Sequence, residues 1–288
     1  MQTVTLMGVG TMGGGMAGRL LAAGFPLTVW NRHAERASPL VAAGAALASS
    51  PREAAARADV VISMLADDDA SRGVWLGETG ALAGARPGAV LIESSTVTTA
   101  WIDELAAAAA RSRCDFLDAP VTGSKSHAAG GELLFLAGGD RAVLDRVRPV
   151  LAAMGRETIH LGPIGSGARL KLINNFMCGV QAASLAEALA LVETSGLDRA
   201  QAIAVLTNGA PGSPLVKAVT ARMAAREYTP PNFALALMKK DLVYAQREAA
   251  SQRVPLETAA AAERVFQRAI DAGNGDRDMA AVVEHLRR

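Results

Sequence analysis

The chain has 288 residues, half of them hydrophobic, with 29 basic against 28 acidic side chains and a formal net charge of +1. That length allows one or two substantial cores, and the near-neutral balance gives no bulk attraction to nucleic acid or to a membrane surface. Cys114 and Cys178 stand far apart without a C-x-x-C pair and only four histidines are present, so neither a disulfide framework nor a metal motif is expected, and a reducing cytoplasm fits.

The first residues enter a strand-like run with no basic and apolar leader, and no apolar run reads as long enough to span a bilayer. "VTLMGV" has strand length. The following "GTMGGGMAGRLLAAG" places Met12, Met16, Leu20 and Leu21 at helical spacing and ends on Gly24, which predicts a helix with a glycine stop. Between them Gly8, Gly10 and Gly13 form G-x-G-x-x-G, with Val9, Thr11 and Met12 filling the turn. In a strand–turn–helix setting the first glycine permits the turn, the second lets a pyrophosphate approach the backbone, and the third lets helix pack on strand. Glycine turns also occur for purely structural reasons; the flanking strand and helix favour dinucleotide binding.

"FPLTVWNRH" tests that reading, because an acidic residue that holds the adenine ribose is expected about 20 residues beyond the glycines. Asn31 stands there, followed by Arg32. Asparagine removes the repulsion an aspartate would exert on a 2′-phosphate, and a guanidinium can pair with that phosphate, so NADP(H) is expected over NAD. The alternative for Arg32 is a solvated loop cation.

Residues 58–65 and 88–96 are β-branched apolar runs that read as fully buried parallel strands, with alanine-rich helical segments between them. This alternation predicts a doubly wound α/β sheet of Rossmann type, with Leu65, Ala66 and the "SST" of Ser94, Ser95 and Thr96 on strand-end loops beside the cofactor. Residues 114–124, 130–140 and 156–162 add further strand-like pieces. Past Gly165 the texture changes to a helix of about thirty residues and then to helices punctuated by Gly209, Pro214, Pro230, Pro231, Pro255 and Gly273. Two domains are expected: a dinucleotide-binding domain over 1–164 and an all-α substrate and oligomerisation domain over 165–288, joined by the long helix.

Four motifs now stand in order: "GVGTMGGGMAGRLLAAG", "DAPVTGSKSHAAGGELLFLAGG", "KLINN" and "FALALMKKDL". With them the chain resembles the β-hydroxyacid dehydrogenase family over essentially its whole length. The resemblance implies that Lys171 of K-x-x-N-N is the catalytic lysine. Asn175 follows four residues on, so the two side chains share a helix face and can grip one carbonyl oxygen, whereas Asn174 is turned away by roughly 100°. Taken alone, a lysine and two asparagines in a helix are an ordinary solvated stripe; the apolar neighbours in "RLKLINNFM" argue for shelter, which would lower the amine pKa toward working pH.

The family's substrates carry a carboxylate, for which "VTGS" offers the backbone N–H groups of Thr122, Gly123 and Ser124 and the Thr122 hydroxyl. The resemblance also places Thr96 beside the nicotinamide, Lys240 over the cofactor, and Asp241 with Phe233 at the substrate end; by composition alone Lys240 and Asp241 are a helix-surface charge couple. "GSKSHAAGGEL" is most similar to the glyoxylate/succinic semialdehyde reductase branch, with departures at Thr122, His127 and Ala129. His127 reads as a surface-loop histidine, with a ligand contact as the alternative.

The expected activity is NADPH-dependent reduction of small carboxylate-bearing aldehydes. The alternatives are a 3-hydroxyisobutyrate or tartronate semialdehyde dehydrogenase, an imine reductase, against which Lys171 argues, and a non-catalytic dinucleotide-binding module. A homodimer or homotetramer built through the apolar helical domain is expected, with no nucleic-acid or membrane partner.

Overall fold

A computed structural model describes residues 1–287. The chain forms two compact units, one ending at Lys171 and the other beginning at Leu172.

The first unit is built on a nine-stranded mixed sheet. Its strands are β1 (Val4–Met7), β2 (Leu27–Trp30), β3 (Ala46–Leu47), β4 (Val60–Ser63), β5 (Val90–Glu93), β6 (Asp115–Asp118), β7 (Val121–Thr122), β8 (Leu133–Gly139) and β9 (Gly155–Gly162). The spatial order is β3-β2-β1-β4-β5-β6-β8-β7, with β9 on β8. From β3 to β6 every neighbour is parallel. The expected doubly wound sheet is therefore present, and its order reverses between β1 and β4.

Alternate residues of these strands enter two different cores. Leu6, Ile62 and Ile92 face one layer, Met7, Val61 and Leu91 the other. Burial on both faces is why these segments read as continuous apolar runs instead of alternating ones. On the first face the helix Gly13–Ala22 buries Gly13, Met16, Ala17 and Leu20, one stripe at helical spacing. Each of its two large apolar side chains contributes roughly 1.5–3 kcal/mol of burial. On the second face Trp75 and Trp101 are fully buried.

The far end of the sheet departs from the parallel pattern, since β8 runs antiparallel to both β6 and β7. Residues 123–132 link β7 to β8. That stretch is shorter than the dozen or more residues a parallel crossover needs, so the chain returns antiparallel.

The second unit is helical, with helices Arg199–Asn208, Pro214–Ala225, Leu235–Ser251 and Glu257–Ala269 and the greater part of the long helix Ser166–Thr194. Leu189, Met223, Leu235, Leu242, Phe266 and Val282 form its core. The Arg287 side chain closes it, donating to both carboxylate oxygens of Glu193 at 2.6 and 2.9 Å and to Glu284 at 2.5 Å.

One expectation needs correction. The 29-residue helix Ser166–Thr194 is long and apolar enough, by length and composition alone, to cross a membrane, with a mean hydropathy of 1.4 over its best window. The sequence reading missed this because Lys171, Asn174, Asn175 and Gln181 divide the run into short apolar pieces, while alanine and leucine keep the average high.

Candidate active site

The five parallel junctions from β3 to β6 bring their strand carboxyl ends to one edge, and the strand order reverses there between β1 and β4, the point at which open α/β sheets bind ligands. Gly8 follows β1 there with φ +92°, a backbone region open to glycine, and a Cβ on it would lie 2.3 Å from the Met64 carbonyl oxygen beyond β4. A Cβ on Gly13 would lie 1.9 Å from the Gly8 carbonyl oxygen. Both glycines are thus explained by the protein's own packing.

Gly10 is not. Its φ is not positive and a Cβ would meet nothing within 4 Å. The open space at Gly10 lies before a helix whose N-terminus has no side-chain cap and no acidic residue in its first turn. An anion seated there would meet unpaired N–H groups and the positive end of the helix dipole, so the turn fits a pyrophosphate.

Asn31 holds the turn from β2. Its Oδ1 accepts from Val9 N–H at 3.1 Å and its Nδ2 donates to the His33 carbonyl at 2.8 Å. Asn31 also lines a pocket of about 350 Å³ with Trp30, Arg32, Ala34, Leu47, Ala48 and Ser49. No carboxylate lines it, and Arg32 is exposed at its edge. Leu65 lies on the loop after β4, and its N–H donates to Ser95 Oγ at 2.7 Å, which ties it to the loop carrying half-buried Thr96; Ala66 is exposed beside it.

The Thr122–Ser124 segment leads into the short helix Lys125–Gly130. Here His127 is a helix residue, not a loop residue: its Nδ1 accepts from Ser124 N–H at 3.1 Å and lies 2.7 Å from Ser124 Oγ, closing a capping box. The Ser124 amide is therefore engaged within the segment, while Gly123 before it has a φ of +137°. Gly15, which the glycine motif does not include, lets this helix approach the helix Gly13–Ala22; a Cβ there would lie 2.8 Å from the Ala129 nitrogen.

Asp118, fully buried at the end of β6, accepts from the backbone N–H groups of Gly165 and Ala168 at 2.8 Å each. It caps the long helix three residues before Lys171. Burial pushes its carboxyl up to about 6, although the converging N–H groups pull the other way. Lys171 itself is half-buried.

In the second unit Asn175 donates from Nδ2 to Asp241 Oδ2 at 2.5 Å and accepts at Oδ1 from Asn174 at 3.0 Å. Asp241 also lies 3.1 Å from Lys240 Nζ. Phe233 packs on the core of this unit, and its N–H is held by buried Asp278, which also accepts from Asn232 N–H at 2.8 Å. So each unit gathers its own share of the residues singled out in the sequence. Ser95 was read from the sequence only as part of the loop after β5, and Asp118, Glu93, Gly15 and Asp278 were given no role, because their partners lie far away in the chain. The one available signal was Ser124-x-x-His127, which has the spacing of a capping box.

The family model for the NAD binding domain of 6-phosphogluconate dehydrogenase matches residues 3–162, and that for the NAD-binding domain of NADP-dependent 3-hydroxyisobutyrate dehydrogenase matches residues 165–286. The chain belongs to the β-hydroxyacid dehydrogenase family. This family and its named members are NAD(P)-dependent oxidoreductases acting on hydroxyl and carbonyl groups. The chain is 36% identical to glyoxylate/succinic semialdehyde reductase 2 of Arabidopsis thaliana, over 99% of this chain and 79% of that protein. It is 35% identical to the NAD-dependent L-serine dehydrogenase of Pseudomonas aeruginosa, over 98% and 97%. The solved structure of Mycobacterium tuberculosis 3-hydroxyisobutyrate dehydrogenase with L-serine superposes with a TM-score of 0.89 at 34% identity, covering both chains completely. A β-hydroxyacid dehydrogenase fold with this arrangement of strands accounts for both the glycine turn and the long helix.

Proposed function

We propose that this β-hydroxyacid dehydrogenase is an NADP(H)-dependent reductase of small carboxylate-bearing aldehydes, glyoxylate and succinic semialdehyde among them. The observation that carries the reaction is Asn175, whose side-chain amide is fixed by buried Asp241 one helical turn from Lys171. An amide held in one orientation can present its second N–H to a substrate oxygen, and an ammonium on the same helix can stabilise negative charge growing on that oxygen and give it a proton.

When bound, NADP(H) supplies or accepts the hydride. Gly8, Val9, Gly10, Thr11, Met12 and Gly13 would hold its pyrophosphate, with Leu65, Ala66, Thr96 and Lys240 toward the nicotinamide end. Asn31 and Arg32 would hold the adenosine end, and the absence of a carboxylate from the pocket they line supports a 2′-phosphate. Thr122 and Gly123 would receive the substrate carboxylate, with Ser124 holding the loop through His127 and with Phe233 and Asp241 closing the substrate end. The reductase substrates follow the 36% identity to the Arabidopsis protein. A homo-oligomer is part of the same proposal, supported by the exposure of Leu170, Ile173, Met177 and Leu191 along the long helix.

The test is cofactor oxidation with glyoxylate, succinic semialdehyde, methylmalonate semialdehyde and tartronate semialdehyde, with NADPH and NADH in parallel, on wild type and Lys171→Ala. Turnover of the first two with NADPH, lowered about 100-fold or more in kcat by the substitution, is expected. Equal use of NADH, or an active Lys171→Ala variant, contradicts the assignment.

A further inference from the structure

Glu93 ends β5 completely buried beside Trp75, where an apolar side chain would fill the space without a desolvated polar group. Its contacts have one direction. Oε2 accepts from Ser71 Oγ at 2.5 Å and from Trp75 Nε1 at 2.9 Å, while Oε1 accepts from Ser95 N–H at 2.8 Å. Ser71 Oγ in turn accepts from Trp101 Nε1 at 2.8 Å, and Ser95 Oγ accepts from Leu65 N–H at 2.7 Å. A second tie runs alongside, with Thr98 donating to Asp68 from its N–H at 2.9 Å and from its hydroxyl at 2.6 Å. The loops after β4 and β5 are thereby one hydrogen-bonded piece anchored on a single carboxylate. Three donors converge on Glu93, and only a carboxylate offers acceptors to all of them.

We propose that Glu93 and Ser95 are positioning residues for the nicotinamide half of the cofactor. Glu93 sets the Ser95 backbone and Ser95 sets Leu65, so the loops presenting Leu65, Ala66 and Thr96 hold one spacing before the cofactor arrives. This inference rests on the proposal that those loops face NADP(H). Pre-setting a binding surface removes the ordering cost from the binding step, so loosening it weakens binding of the half of the ligand that the surface touches.

Ser95→Ala deletes one acceptor with little change in volume, and Glu93→Gln keeps the size of the anchor while exchanging an acceptor for a donor. Both are titrated with NADPH, by fluorescence, and with 2′,5′-ADP, which lacks the nicotinamide half. The expected result for Ser95→Ala is about a tenfold rise in the NADPH Kd and a lower kcat, with 2′,5′-ADP affinity and thermal midpoint close to wild type. Glu93→Gln shifts NADPH in the same direction; should it fail to fold, Ser95→Ala decides alone. The proposal is overturned if Ser95→Ala binds and turns over NADPH like wild type, or if it loses both probes equally. A wild-type chain that binds neither probe overturns the cofactor reading and this inference with it.

Discussion

Asn175 and Asp241 lie 66 residues apart in the chain, yet they share a 2.5 Å hydrogen bond in which both partners are buried, 5% and 1% exposed. The bond joins the long helix to the helix Leu235–Ser251 at the point where Lys240 pairs with the same carboxylate. The asparagines of "KLINN" and the charge couple of "KKDL" therefore form one cluster, and the couple that composition would place on a surface is largely withdrawn from water.

Replacing Asp241 by asparagine is expected to lower kcat/KM on the best aldehyde by about 100-fold, because a neutral amide can turn its own N–H toward Asn175 and misplace it. The folded fraction at assay temperature should stay close to wild type. Unchanged kinetics in that variant would return Asp241 to a purely structural role.

The buried Asp118 carboxyl links stability to pH. Its folded value of about 6 lies above the ordinary 3.8, so between those values the folded state holds the proton that the unfolded state has released. The stability this adds is full below about pH 3.8, is lost as pH rises through 6 and is gone above it, on the order of 3 kcal/mol in total. Denaturant unfolding of wild type and Asp118→Asn at pH 4.5 and 7 checks the sign: wild type should lose ground to the variant at the higher pH. A gap between the two that is the same at both pH values would contradict it.

His127 makes a separate prediction. Backbone N–H can only donate, and the acceptor for the Ser124 amide is His127 Nδ1, which closes the N-terminus of helix Lys125–Gly130. His127→Ala removes that acceptor, so in amide NMR spectra the Ser124 resonance should move and its hydrogen exchange should quicken relative to wild type. His127→Gln, whose side-chain oxygen can accept the same bond, should restore much of the protection. Unchanged Ser124 exchange in His127→Ala would refute the capping role.

The glycine turn, the parallel strands and the long helix were legible because each obeys a local rule: periodicity for the elements, and a backbone approached closely by another at Gly8 and Gly13. Asn31 was legible as the residue at the end of the second strand, but not as the side chain that pins Val9. Gly15 was invisible because its partner, Ala129, lies more than a hundred residues away. His127 was read as a loop residue because six residues of helix carry too little periodicity to be recognised.

The order of residues along the chain by itself determined that a strand, a glycine turn and a helix open the protein, that a parallel sheet follows, and that helices complete it, since these depend on spacing over a few residues. Only the tertiary structure decided which buried polar groups meet: Asp118 with the start of the long helix, Glu93 with Ser95, Asn175 with Asp241. The reason is physical: a hydrogen bond between distant segments is set by how the strands and helices pack, and no local periodicity encodes it.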